Sequence, residues 1–372
     1  MSEAATLDQP KVVVVGGGYG GVAVAKALDS SSEVVLVEPK DAFMHNIAAL
    51  RALVDPSWLS RIFFPYTEVL ANGRVVRDRA TLVNPHRVVT SSGEEFDADY
   101  IVLATGSRYP FPAKTDLVNA EAAREEMRAT NLALSQAARV LLVGAGPVGI
   151  ELAGEIREVW PDKSILLFDV ADDILGGPYV SELRQELRRQ LIEFRIEVQL
   201  GSPLVREPQT EPGELGTFAV ATEDGKEVSA DIWFRCYGVS PNSDYLGEEL
   251  KGARRSDGFV EVTSTLQVVG QSSVFALGDL STADAKMAGF AGHQAVIVAE
   301  NISALMHGRP ELVDYQSMGP AIAVPIGPYG GAGQFPGQDE IVGRDVISEA
   351  KGRDLMVERF GDLFKLASSV GT

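Results

Sequence analysis

An α/β fold made of two similar strand–turn–helix halves is predicted by three features of the sequence. An apolar strand runs into G-x-G-x-x-G near the start, the same layout returns 128 residues later, and each half has a later apolar strand that closes on a glycine. At 372 residues the chain also exceeds what one hydrophobic core usually supports, about 250 residues, so two or three units are expected.

The first half begins with a buried strand over Lys11–Val15, followed by Gly16, Gly18 and Gly21 and a helix through "VAVAKAL". A second strand, Val34–Val37, ends at Glu38, seventeen residues past Gly21. In that setting Gly16 permits the tight turn, Gly18 lets the backbone approach a pyrophosphate, and Gly21 lets helix and strand pack closely. The helix N-terminus offers free N–H groups and the positive end of its dipole. Glu38 stands where a carboxylate accepts hydrogen bonds from ribose hydroxyls.

The second half repeats this with Val140–Val143, then Gly144, Gly146 and Gly149, the helix "IELAGEIREVW", and the strand Ile165–Phe168 leading to Asp169. The closing strands are "YIVLATG", ending at Thr105 and Gly106, and "IWFRCYG", ending at Gly238. A lone G-x-G-x-x-G is as readily a plain turn; two complete copies, each with its acid and its closing strand, are not. Two Rossmann-like halves follow. A third element, "SSVFALGDL", is a short strand ending in Gly278-Asp279, followed by a helix starting near Lys286.

Composition is that of a soluble globular protein, 45% apolar and 23% charged. A net charge of −19 argues against nucleic acid as a partner and weakens attraction to anionic lipid. Cys236 is the only cysteine, so an internal disulfide, a C-x-x-C pair and a cysteine metal site are excluded, and a reducing, cytoplasmic compartment is expected. No metal site is expected. Cys236 ends an apolar strand and reads as a small buried hydrophobe rather than a nucleophile.

The opening "MSEAATLDQPK" lacks the apolar core of a signal peptide, and Ser2 stands where N-myristoylation needs glycine. Residues 315–338 are uncharged, but their glycines and prolines argue against a spanning helix. No transmembrane span is expected, which leaves transient contact with a membrane surface.

"VVVVGGGYGG", "YIVLATGS", "VLLVGAGPVGIELAGE" and "VFALGD", in this order, resemble the FAD-dependent pyridine-nucleotide oxidoreductases. "KDAFMHNIAALRA", "ATGSRYPFP", "KMAGFAG", "GGAGQFPG" and "GRDLMVERF" are similar to the ferroptosis suppressor protein branch, near apoptosis-inducing factor and type II NADH dehydrogenases. The likeness runs from Lys11 to about Phe364. It departs at the missing N-terminal glycine and at Met44-His45, where the vertebrate branch has a histidine pair.

The resemblance implies that the first glycine motif binds FAD, the second binds NAD(P)H, and the enzyme passes a hydride to FAD and two electrons on to a quinone. It implies that Asp279 contacts the ribityl and pyrophosphate part of FAD and that Glu151 reaches toward the nicotinamide. Ala80 matches a strand that binds adenine through its backbone, and Lys40 and Arg51 stand where FAD phosphate or ribose contacts are found. Lys286 and Met287 open the helix after the Gly-Asp loop, where a lysine and a helix N-terminus would stabilise charge on the reduced flavin; Lys286 reads equally as a surface lysine. Lys351 matches a basic residue of the branch.

His45 reads either as a flavin neighbour or as a hydrogen-bonded structural histidine. Glu155 shares a helix face with Glu151 and is read as facing solvent or a cap. Leu355, Met356, Phe360 and Phe364 make an apolar stripe that suits a core or subunit contact more often than an acceptor pocket. Asp169 favours NADH over NADPH, because an acid there repels the extra phosphate.

The expected architecture is therefore two Rossmann-like domains, for FAD and NAD(P), the second inserted in the first, plus a small C-terminal α+β domain. The expected ranges are 1–112 and 252–302 for FAD, 113–251 for NADH, and 303–372 for the acceptor side. The alternatives are reduction of a ferredoxin or another electron-transfer protein, and a slow redox sensor that signals through partners. The oligomeric state is left open.

Overall fold

A computed structural model describes residues 9–338 and 340–365; Ser2 lies outside the described residues. Strand β1 (Lys11–Val15) is a run of valines, all but its first residue buried, and leads through the glycine loop into helix α1 (Tyr19–Leu28) and strand β2 (Glu33–Val37). A hairpin of β3 (Ala42–Met44) and β4 (Phe63–Pro65) encloses the buried helix α2 (Ala49–Val54). After β5 (Arg74–Val76) comes an antiparallel sheet of β6 (Ala80–Asn84), β7 (Arg87–Thr90) and β8 (Glu95–Asp97), then β9 (Tyr100–Leu103).

The next stretch contains β10 (Ser107–Arg108), α3 (Ala120–Gln136), β11 (Arg139–Val143), α4 (Pro147–Val159), β12 (Ser164–Phe168), α5 (Ser181–Glu193) and β13 (Glu197–Gln199). It continues with β14 (Phe218–Ala221), β15 (Glu227–Ala230), β16 (Ile232–Arg235), β17 (Ser240–Pro241) and α6 (Glu248–Lys251). Strand β18 (Val274–Ala276) and the long helix α7 (Ala288–Met306) follow.

Two parallel sheets result. The first has the order β18-β9-β1-β2-β5 and the second β13-β12-β11-β16. The first takes β18 from beyond the whole second sheet, so the chain leaves and returns. In each sheet the first strand has neighbours on both sides, β2 and β9 for β1, β12 and β16 for β11. That reversal of direction opens a crevice at the carboxyl ends, where α/β sheets bind ligands. The short pair β10–β17 ties the two halves together just past their closing glycines.

The glycine- and proline-rich stretch forms a hairpin of β19 (Ile322–Ile326) and β20 (Gly330–Gln334). It packs closely on α4: a Cβ on Gly154 would lie 2.4 Å from the Gly327 nitrogen. Helix α8 (Arg344–Ile347) runs into a π turn over Ser348–Gly352, and α9 (Val357–Gly361) follows. The expected single apolar helical face across Leu355 to Phe364 is broken, because Leu355 and Met356 both take left-handed backbone angles, φ 51° and 60°. Leu355 and Phe364 are nevertheless core residues. Among the described residues no helix is long and apolar enough to cross a membrane.

Candidate functional site

The two glycine loops are built alike. Gly16 and Gly144 have φ of 105° and 117°, and a Cβ at either would lie 2.5 or 2.6 Å from the carbonyl oxygen of Ala104 or Cys236. Both positions require glycine for backbone angle and space together. A Cβ on Gly21 would come within 1.9 Å of the Gly16 oxygen, and one on Gly149 within 1.9 Å of the Gly144 oxygen. The third glycine therefore folds the loop back on its own first residue, as well as bringing the helix close to the strand.

Gly18 and Gly146 differ from these. Each is the N-cap of its helix, in extended conformation and without a side-chain cap, and a Cβ on either would meet nothing within 4 Å. Glycine is not needed there for the fold. It leaves a space in front of first-turn N–H groups that no side chain caps, an arrangement that fits a dinucleotide's phosphates twice over.

Glu38 and Asp169 also correspond. Glu38 Oε2 accepts from Gly17 N at 2.7 Å and Oε1 from Lys40 N at 3.0 Å. Asp169 Oδ2 accepts from Ala145 N at 2.6 Å and Oδ1 from Ala171 N at 2.9 Å. Each carboxylate is fixed by its glycine loop and keeps acceptor capacity for ribose hydroxyls.

The closing segments meet at the Gly-Asp loop. Gly278 N donates to Gln294 Oε1 at 2.7 Å. Asp279 Oδ2 accepts from Ser107 Oγ at 2.7 Å and Lys114 Nζ at 3.0 Å. Burial alone would raise Asp279, but Lys114 and Ser107 outweigh it and hold the carboxyl below its usual range. Thr105 Oγ1 donates to Asn242 O at 2.7 Å, and Gly106 O accepts from Asn242 N at 3.0 Å. Gly238 has a φ of 101° just before β17. Ser107 and Lys114 were not singled out from the sequence. The lysine's place just after a closing strand was the available signal.

Several of the expected side chains find other partners. Lys286 Nζ donates to the carbonyls of Ser281 and Asp284 and lies 4.6 Å from the Phe259 ring centre, so it ties down its own loop. Met287 is the N-cap of α7, at the helix start the sequence indicated. Arg51 makes four hydrogen bonds, two to Glu155 and two to the carbonyls of Gly352 and Arg353, and so braces α2 against α4 and the C-terminal segment rather than facing a phosphate. Glu155, 4% exposed, faces Arg51 and not solvent. Lys40 Nζ donates to Thr115 O at 2.6 Å, and Ala80 begins β6 at a bulge opposite Thr90.

Glu151 and Lys351 are brought together. Lys351 Nζ lies 2.8 Å from Glu151 Oε1 and 3.0 Å from Ala323 O. Burial pushes the Glu151 carboxyl above its ordinary range, against the opposing pull of Lys351. Lys351 sits in the π turn, a distortion that often marks functional positions.

His45 is fully buried. Its Nδ1 lies 3.0 Å from Tyr19 Oη and its Nε2 2.8 Å from Leu355 O. With a neutral ring, Nε2–H donates to the carbonyl and Nδ1 accepts from the tyrosine. Phe360 packs beside Tyr19 and His45, and Phe364 stacks on Phe43 at 4.3 Å, so the stripe closes a core over α1.

Burial holds the His45 imidazole down to about 4 from its ordinary 6.5. The unfolded chain therefore takes up this proton first, and stability falls as pH drops from about 6.5 toward 4, by up to about 3 kcal/mol. A His45→Gln protein is expected to lose this part of the acid sensitivity. Urea midpoints at pH 7 and pH 4.5, differing as much in the variant as in the parent, would contradict it.

Cys236 is 2% exposed and burial pushes its thiol up to about 12. That thiol is no nucleophile at neutral pH.

Comparison with known proteins adds the following. Residues 10–313 match the family described as pyridine nucleotide-disulphide oxidoreductase. The chain is 32% identical over 355 residues to ferroptosis suppressor protein 1 of Taeniopygia guttata, covering 94% of each chain. It is 28% identical to apoptosis-inducing factor homolog B of Dictyostelium discoideum, covering 95% of this chain and 97% of that one. Among solved structures, the sulfide:quinone oxidoreductase of Aquifex aeolicus superimposes with a TM-score of 0.76 at 17% identity, over 97% of this chain and 93% of that one. At that identity the likeness is one of fold.

Proposed function

Because the chain belongs to the pyridine nucleotide-disulphide oxidoreductase family, whose members use FAD and a pyridine nucleotide, we propose that it is an NADH:quinone oxidoreductase. The observation that carries the reading is the pair of matching glycine loops, each with an open N-cap glycine and a loop-bound carboxylate. FAD would be held at Gly16, Gly18, Gly21, Glu38, Thr105, Gly106 and Asp279. NADH would be held at Gly144, Gly146, Gly149, Asp169 and Gly238. We assign residues 1–112 and 252–302 to the FAD domain, 113–251 to the NADH domain and 303–372 to the acceptor side.

Bound FAD would supply two-electron chemistry between the nicotinamide and the acceptor. The chain's own residues bind and orient. Lys114 and Ser107 hold one oxygen of Asp279 and leave the other to accept from the ligand. Lys351 Nζ and Glu151 Oε1, 2.8 Å apart beside α4, would hold a proton that the quinone takes up together with two electrons as it becomes hydroquinone.

A disulphide acceptor does not fit a chain whose single cysteine is buried. A quinone is the acceptor implied by the likeness to the ferroptosis suppressor branch. The test is to mix the purified yellow protein with NADH without oxygen and then offer a quinone and a ferredoxin in turn. Rapid reoxidation by quinone supports the reading. Reoxidation by ferredoxin alone, or no turnover with either, overturns it.

Asp169 makes a second expectation. NADH should be used better than NADPH, and Asp169→Asn should narrow the ratio about fivefold, the value of one partly screened charge, about 1 kcal/mol. Steady-state kinetics with both nucleotides decide this; better use of NADPH by the parent would refute it.

A further inference from the structure

Four charged side chains, two of each sign, lie together where three parts of the chain meet, two of them buried and two mostly so. Arg51 comes from α2, Glu151 and Glu155 from α4, and Lys351 from the π turn; their side chains are 7%, 12%, 5% and 17% exposed. The proposed chemistry uses Glu151 and Lys351 and leaves the other two without a role.

The geometry of Arg51 supplies one. Its Nε and Nη2 grip Glu155 through both carboxylate oxygens, at 2.8 and 2.7 Å. Its Nη2 also donates to Gly352 O at 2.8 Å, and Nη1 to Arg353 O at 2.9 Å. Those two carbonyls belong to the residues directly after Lys351. Glu155 is one helical turn beyond Glu151, so a single helix face fixes the guanidinium and the lysine's partner together. Gly352 has little freedom to move, since a Cβ there would lie 2.8 Å from Pro328 O. The π turn itself is closed by Arg353 N donating to Ser348 O at 3.0 Å. A guanidinium can make these four bonds at once because its donors are planar and rigidly splayed, which an ammonium cannot reproduce.

We propose that Arg51, clamped by Glu155, is a positioning residue that sets where Lys351 Nζ stands against Glu151. The placement is independent of the acceptor; only its kinetic consequence rests on the function proposed above.

The experiment measures how fast an amine-reactive reagent labels Lys351 in the holoprotein, by peptide mass spectrometry, with exposed Lys226 as the internal reference. Two variants are compared with the parent. Arg51→Lys keeps the charge and loses the fork. Arg51→Met with Glu155→Leu removes both charges and leaves neither buried alone, a replacement that folds well in other proteins.

In the parent Lys351 is expected to label slowly. In the double variant it is expected to label about tenfold faster, with Lys226 unchanged, and in Arg51→Lys about threefold faster. NADH turnover should fall while KM for NADH holds. Parent-like labelling of Lys351 in a folded double variant overturns the proposal and leaves Arg51–Glu155 as a stabilising pair only. If the double variant does not fold, parent-like labelling in Arg51→Lys does the same. Faster labelling with undiminished turnover supports the positioning and overturns the catalytic use of Lys351.

Discussion

A Lys351→Met protein is expected to fold, stay yellow and be reduced by NADH, but to pass its electrons on to a quinone at least about 10²-fold more slowly than the parent, the usual cost of losing a positioned proton-transfer group. Breaking a buried ion pair from one side costs about 3–5 kcal/mol if the remaining charge stays ionised. Glu151 can escape by keeping its proton. Its carboxyl is already raised by burial with Lys351 opposing, and the variant removes the opposition. A folded-state carboxyl raised above its unfolded value favours the folded chain at low pH, and that advantage is lost as pH climbs from the ordinary carboxylate range to the raised value.

The variant should therefore lose more stability between pH 5 and pH 8 than the parent. Adding Glu151→Gln should remove the extra slope and leave the turnover defect. Urea midpoints at the two pH values and stopped-flow reoxidation by quinone read the two effects separately. Parent-like reoxidation of reduced Lys351→Met by quinone would end the assignment of this pair to the chemistry.

The elements that carry the nucleotide sites could be read from the sequence because their determinants are local. Val12 to Val15 can only be a buried strand, and the spacing of Gly16, Gly18 and Gly21 is set within one turn. The same holds for Gly144, Gly146 and Gly149, and for the acids seventeen and twenty residues beyond their loops. What the sequence hid is contact between segments far apart in the chain. Lys351 meets Glu151 across 200 residues and Lys114 meets Asp279 across 165.

Long cationic side chains are hard to place for the same reason. Lys286 stands beside the expected flavin loop in sequence, and its flexible chain reaches the carbonyls of Ser281 and Asp284. Arg51 did leave a clue that went unused: it lies in "ALRALV", a helix otherwise wholly apolar, and a charge in such a helix must have a buried partner. Glu155, between the buried residues of "LAGEI", left the matching one. The left-handed pair at Leu355 and Met356 left none, because non-glycine residues carry no sequence sign of such angles.

The sharpest separation of fold from function lies within one glycine motif. Gly18→Val should give a folded protein with no bound FAD. The backbone there is extended, with φ −73° and ψ −172°, which valine accepts, and its Cβ meets nothing within 4 Å. The cost to the fold is about 1 kcal/mol for a poorer N-cap, while the new side chain fills the space in front of the first-turn N–H groups. Gly21→Ala is the smaller change but should do more harm. Its methyl would lie 1.9 Å from Gly16 O and 3.1 Å from Ala104 Cβ, so β1, the loop and β9 would all have to shift, and overpacking of that kind costs about 1–3 kcal/mol or more.

Gly146→Val repeats the first experiment in the second loop, where the backbone angles match, φ −78° and ψ −173°. That protein should remain yellow and fail to be reduced by NADH. Visible absorbance, Tm and anaerobic NADH titration distinguish the three variants. If Gly18→Val keeps FAD at parental affinity while Gly146→Val comes out colourless, the two loops hold the opposite nucleotides, and the assignment of Glu38 and Asp169 to their riboses reverses with them.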